Sequence, residues 1–223
     1  MSKKWRMSRE AAYVWAMLVL PFSVALMTKA NLGLSMIAAP TYIISERVSF
    51  LTYGQAEYIL QTLILLLMAA VVGKFRWVYL TSFLSAILYG TVLDGFIFLT
   101  GPIHADAIWQ RLILFAVGMI LTALGVALFI KTYLPPCAYD YFVRTLVQEK
   151  HTDLRKTKLI NDGVYLVLSV ALTLVLFHRF IGITWGTLVI TLCNGHIIAF
   201  FDKTMGKHIE FYDRFPKLAK YYD

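Results

Sequence analysis

Thr91-Val92-Leu93-Asp94-Gly95 sets a carboxylate inside an apolar run that extends from Val78 to Leu99. One hundred residues later, Thr191-Leu192-Cys193-Asn194-Gly195 repeats the pattern inside the run Ile181 to Phe201. Five residues are a short echo; its weight comes from the similar apolar runs that precede both copies in the same order. Read outward from these two stretches, the chain divides into two related halves. Each ends in a helix that holds a polar residue where lipid does not tolerate one.

Of the 223 residues, 59% are hydrophobic and only 15% are charged, too little polar surface to cover a soluble domain of this size. Several of the apolar runs reach about 20 residues, enough at about 1.5 Å rise per residue to cross a hydrocarbon core of about 30 Å. They lack the alternation of a membrane barrel. The expected fold is all-α, a polytopic bundle of six transmembrane helices arranged as two inverted three-helix repeats. The first repeat is residues 1–101, with spans at 13–33, 56–73 and 78–99. The second is 102–202, with spans at 108–130, 159–177 and 181–201, and residues 203–223 form a cytoplasmic tail, read as a short interfacial helix or a disordered end. Lys3, Lys4, Arg6 and Arg9 precede the first run as in a signal peptide. The run is longer than a signal core and no clear small-residue cleavage site follows, so a retained span is expected.

Each half also holds a segment too short to span. Residues 34–47, with Pro40, read as interfacial or re-entrant. In 138–149, Tyr139, Phe142, Val143 and Leu146 share one helical face, while Asp140, Arg144 and Gln148 share another; this predicts a helix lying on the membrane surface. Gly118, Thr122, Ala123 and Ala127 give small residues four apart, which permit close approach by another helix, within the chain or in a homodimer. With six spans, the N-terminus, the 2–3 and 4–5 connections and the C-terminal tail share one side. They hold 4, 2, 6 and 5 Lys/Arg, 17 of the 21 in the chain, which places both termini in the cytoplasm. The net charge of +8 is then explained by basic loops facing anionic lipid headgroups, with no nucleic acid.

Three spans per half invert the second half relative to the first, an arrangement that recurs in secondary transporters, with the site near the midplane between halves. The residues expected to line such a site are Asp94, Thr91, Asn194 and Thr191, with Lys29 near the same membrane face as Asp94. Asp94 has three available states: protonated, paired with a cation, or ion-binding. The plainer reading is a hydrogen bond between helices. Glu57 and Asp162 occupy matching places at the starts of the second and fifth spans, where an acid is also favourable at a helix N-terminus. His196 reads as a packing residue. Two scattered cysteines and five histidines form no metal-ligand spacing, and no nucleophile motif or phosphate loop is present. No enzyme, cofactor or metal is expected.

The same stretches resemble the YczE/YyaS/YitT-like bacterial membrane proteins over roughly residues 13 to 202. Gly90-Thr91-Val92-Leu93-Asp94-Gly95 looks like that family's G-T-L-L-N-A run in its third helix, and Asn31-Leu32-Gly33-Leu34-Ser35 like its G-L-G-L-S turn after the first. Lys158 and Asp162 stand where the family often has an Arg and a Glu four apart, and Asp140 matches an acid that commonly follows the fourth helix. The chain departs from the pattern at Met36-Ile37-Ala38, where the family often has Pro-Trp-Asp, and at Asp94, where it usually has Asn. The resemblance implies an integral inner-membrane protein of bacteria and names no substrate. The functional expectation is a small secondary transporter, or the substrate-binding subunit of one, holding a small polar solute or ion between its halves. The alternative is a non-transporting accessory or regulatory protein that binds a partner through its basic connector at 150–158.

Overall fold

The computed structural model describes residues 5–73, 78–134, 137–151 and 153–222, with some side chains inside those ranges left out. Trp77, Pro135 and Pro136, and the side chains of Tyr79 and Asp140, fall outside what is described. In chain order the elements are β1 (Trp5–Ser8), α1 (Arg9–Ala30), α2 (Ala39–Arg47), α3 (Tyr53–Val72), α4 (Val78–Leu99) and α5 (Ile108–Ile130). They continue with α6 (Ala138–Lys150), α7 (Leu154–Phe177), α8 (Trp185–His208), β2 (Ile209–Tyr212) and α9 (Pro216–Tyr222). Among the described residues, six helices, α1, α3, α4, α5, α7 and α8, are long and apolar enough to cross a membrane. The chain is a mainly helical, multi-pass membrane protein.

Capping residues set helix ends that hydropathy alone misplaces. Ser8 accepts from the Ala11 N–H at 3.1 Å, so α1 starts at Arg9, ahead of the expected residue 13. Asp153 accepts from the Lys156 N–H at 2.9 Å, and α7 starts at Leu154, ahead of 159. Each side-chain oxygen satisfies a backbone donor that a helix start leaves unpaired. At the other end α8 continues past Phe201 to His208, and Asp202 in that extension meets Lys131 at 2.7 Å.

The central packing is α1 against α5. A Cβ on Gly118 would lie 2.5 Å from Met27 Cγ, and one on Gly125 2.5 Å from Leu20 Cγ. Ala123 and Ala127 are fully buried, and the hydroxyls of Ser23 and Thr122 meet at 2.9 Å. The small-residue face therefore serves an intramolecular contact. α4 packs beside α1, and α8 beside α5. The two short helices each bridge the same pair of long ones: α2 contacts α3 and α7, and α6 contacts α7 and α3.

Both short helices are packed against protein. In α2, Ala39, Pro40, Thr41 and Ile43 are buried. In α6, the apolar face predicted for lipid packs on protein instead: Ala138 and Tyr139 join Ile64, Leu65 and Met68 of α3 and Tyr165 of α7 in one cluster. An amphipathic face is satisfied equally by lipid or by a neighbouring helix, so periodicity alone does not choose between them.

The C-terminal tail is also ordered. β2 pairs in parallel with β1, Trp5 opposite Ile209 and Ser8 opposite Tyr212; this small sheet is a correction to the all-helical expectation. Glu10 ties it down, accepting from Tyr133 Oη at 2.6 Å and from the N–H groups of Arg214 and Phe215 at 3.1 and 3.0 Å. Burial, with the Glu10 carboxylate beside it, pushes the Tyr133 phenol well above its ordinary range.

Two outcomes follow from these contacts. Gly118→Leu should overpack the α1–α5 contact and destabilise the protein by about 1–3 kcal/mol, read as a lower melting temperature in detergent. Glu10→Ala should speed tryptic cleavage at Lys207 and Arg214 and leave the membrane helices intact.

Candidate functional site

Glu57 is a carboxylate 4% exposed, one turn into α3. Its Oε2 lies 2.6 Å from the Thr41 hydroxyl of α2, and its Oε1 accepts from Gln61 Nε2 at 3.2 Å. The Gln61 amide is oriented from its other end. Its Oε1 accepts from the Ala138 N–H at the start of α6 at 3.0 Å, and an N–H cannot accept, so the Gln61 NH2 faces Glu57. The Tyr139 hydroxyl, buried on α6, sits beside the same carboxylate without meeting hydrogen-bond geometry. Burial and that carboxylate push the Tyr139 phenol well above its ordinary range. One turn of α3 thus joins the N-terminal ends of both short helices.

This cluster edges a cavity of about 300 Å³. Its walls come from both halves of the chain: Leu20 and Val24 of α1, Glu57 and Tyr89 on one side, and Lys158, Asp162, Thr191 and Asn194 of α7 and α8 on the other. The Asn194 Oδ1 is buried with no hydrogen-bond partner among the described residues.

A second cavity of about 300 Å³ lies one turn farther along α1, where Thr28 and Lys29 replace Leu20 and Val24 in the wall. Tyr42, Ser45 and Glu46 of α2 line it as well. Burial, with the Glu46 carboxylate nearby, pushes the Tyr42 phenol up to about 12. The partition between the cavities is thin. Tyr53 faces the second cavity and its hydroxyl donates to the Ala38 carbonyl at 2.9 Å, while Ala38 faces the first. On α4, Leu93, 1% exposed, stands between Tyr89 and Ile97, which line one cavity each.

The structure brings together Asn194, Thr191, Glu57, Asp162 and Lys158, and leaves Asp94, Thr91 and Lys29 outside that cavity. Asp94 joins helices. It accepts from the Gly54 N–H at 2.7 Å and from the Thr52 hydroxyl at 2.5 Å, satisfying donors at the start of α3. The contact requires glycine on both helices, since a Cβ on Gly54 would lie 2.0 Å from the Gly90 carbonyl oxygen, and one on Gly90 2.4 Å from that of Gly54. Thr91 is exposed and returns its hydroxyl to Ile87 O at 2.8 Å. Lys29 reaches the Gly101 carbonyl at 3.4 Å. Thr184 and Thr187 cap α8, and Thr184 also donates to the Leu32 carbonyl in the Asn31–Ser35 turn. His196 is exposed beside Leu192 O. Thr41, Tyr53 and Tyr139 are the site residues that sequence reading missed. Thr41 lies in the segment read as interfacial or re-entrant, Tyr139 in the helix read as lying on the membrane surface, and Tyr53 just ahead of the expected start of the second span at residue 56.

A family model matches residues 7–203, and it is described as a family of unknown function (DUF6198). The chain belongs to this family. It is 24% identical over 197 residues to the uncharacterized protein YyaS of Bacillus subtilis (strain 168), covering 88% of this chain and 93% of the relative. No solved structure matches. The Gly90–Gly95 run is thus the part of α4 that meets the start of α3, where Gly90 supplies the close approach and Asp94 the cap.

Asp94→Leu should destabilise the protein by about 1–2 kcal/mol, as lost caps do, and Asp94→Asn by less, because one acceptor oxygen persists. Thermal unfolding of the purified variants measures both.

Proposed function

We propose that the chain is a small secondary transporter, or the solute-binding subunit of one, and that a small polar solute or ion occupies the cavity between its halves. The observation that carries this reading is the pair of cavities along α1, one mainly polar and one mainly apolar with Glu57, Lys158, Asp162 and Asn194 in its wall, with Ala38, Tyr53 and Leu93 between them. A polar solute crossing a bilayer needs polar groups on both sides of a barrier, because apolar surroundings do not hold it.

The order of elements supports the same reading. Long, short, long, long describes α1–α4 and again α5–α8. The pairing of α2 with α3 and α7 is answered by that of α6 with α7 and α3. We read this as an inverted repeat, with the termini in the cytoplasm of a bacterial cell and Asn194 as the second-half counterpart of Asp94. On that reading the first half is latched, its α3 start capped by Asp94. The second half is unlatched, with the Asn194 oxygen unpaired and facing the cavity. Alternating access consists of exchanging these two conditions.

A thermal-shift screen of the detergent-purified protein tests the reading, using amino acids, organic acids, nucleosides, vitamins and inorganic ions. A ligand of the native state raises the melting temperature with its concentration. Asn194→Leu, which places a hydrocarbon branch in the cavity wall, should abolish the shift, and Asp94→Asn should retain it. Flux of the same compound into proteoliposomes should follow that order. A shift that Asn194→Leu leaves intact would remove the solute from this cavity.

A further inference from the structure

We propose that the Glu57 carboxyl is a reversible proton site at the partition between the two cavities, and that it couples solute movement to a proton. The coupling rests on the transport reading above; the proton site stands on the geometry of the cluster.

Three observations carry it. The first is enclosure. Glu57 is buried to 4% exposure within a span, and the hydrogen bonds it makes are to neutral groups, Thr41 and Gln61. A bare carboxylate in such a place is costly, and neutral partners offset little of that cost.

The second is that the network is complete in either charge state. Thr41 Oγ1 lies 2.6 Å from Glu57 Oε2 and 3.0 Å from the Ala38 carbonyl, and a hydroxyl has one hydrogen to give. With the proton on Oε2, Glu57 donates to Thr41 and Thr41 donates to Ala38. When that proton leaves to water in the cavity, the Thr41 hydrogen turns to the carboxylate. The Ala38 carbonyl keeps Tyr53 Oη at 2.9 Å and the Tyr42 N–H at 3.3 Å. Oε1 accepts from Gln61 in both states, because the Ala138 N–H fixes that amide. One hydroxyl rotation therefore accommodates loss and return of a proton, and the adjacent Tyr139 hydroxyl is a further donor for the charged form.

The third is access. Glu57 faces the first cavity directly, and its network, through Ala38 and Tyr53, reaches the second. The titratable groups around it are Tyr139 of α6, Tyr89 of α4, Tyr53 on its own helix, Cys137, and Lys158 and Asp162 of α7 across the cavity. Protonation of Glu57 changes the charge of the cavity wall beside a bound solute, and this is the physical basis of coupling.

Infrared difference spectroscopy of the purified full-length protein tests the site, with the proton itself as the probe. At neutral pH the wild type should show a carbonyl band of protonated carboxyl that is lost in Glu57→Gln and kept in Asp94→Asn. Alkalinisation should abolish the band reversibly, with the helical circular dichroism unchanged. Thr41→Val, which removes the hydroxyl that receives and passes on the hydrogen, should shift the band; this arm stands even if Glu57→Gln fails to fold. Identical neutral-pH spectra for folded wild type and Glu57→Gln, or a band indifferent to Thr41→Val, would overturn the proposal. Because the band needs no solute, the two failures are distinguishable. A titrating band with no solute from the panel bound removes transport and leaves the proton site. A bound solute with no band removes the proton site alone.

Discussion

The close approach of α1 and α5 is the contact on which the rest of this bundle depends. Two apolar helices in lipid gain nothing from hydrophobic association as such, so they adhere through backbone proximity and a few hydrogen bonds. Gly118 and Gly125 supply the proximity against Met27 and Leu20, and the Ser23–Thr122 pair supplies the bond. With that axis in place, α4 and α8 lean on its two sides. The space between α3 and α7 is left for the short helices, and their blunt N-terminal ends bound the first cavity. A bulky residue anywhere along the α1–α5 face would spread the whole arrangement.

The second constraint is that buried polar groups must find partners within the protein. Much of the polar chemistry in this chain answers that demand. Asp94 takes the donors at the start of α3, Gln61 takes the first N–H of α6, Thr184 takes the Leu32 carbonyl, and Glu10 takes the donors ahead of α9. Against that background the groups at the first cavity stand out. Asn194 Oδ1 and Tyr139 Oη are buried without a hydrogen bond among the described residues, and Glu57 is held by neutral groups alone.

The polar residues most visible in the sequence are not those that line the cavity. Asp94 stands out because it interrupts an apolar run, yet its job is to cap a helix from outside that helix's own sequence. Nothing in the local pattern of α4 reveals that Gly54 lies against Gly90. Glu57 and Asp162 were visible as matching acids at two helix starts, and both do line the cavity, but that position is equally explained by the helix dipole. Thr41 and Tyr139 were hidden because they lie on segments whose length and periodicity suit a membrane surface as well as a protein interior.

By itself the sequence determined the membrane class, the six long helices, a short non-spanning segment after the first helix of each half and the small-residue face of α5. Each of these depends on residues close together in the chain: the length of an apolar run, a period of about 3.6, a spacing of four. The tertiary structure alone decided that the short helices are buried and that the α5 face meets α1. It also decided that the tail returns to pair with the N-terminal strand, and that Glu57, not Asp94, edges the cavity. Those outcomes depend on which surfaces meet across tens or hundreds of residues. A buried carboxyl and a capping carboxyl have the same local sequence signature; only their distant neighbours separate them.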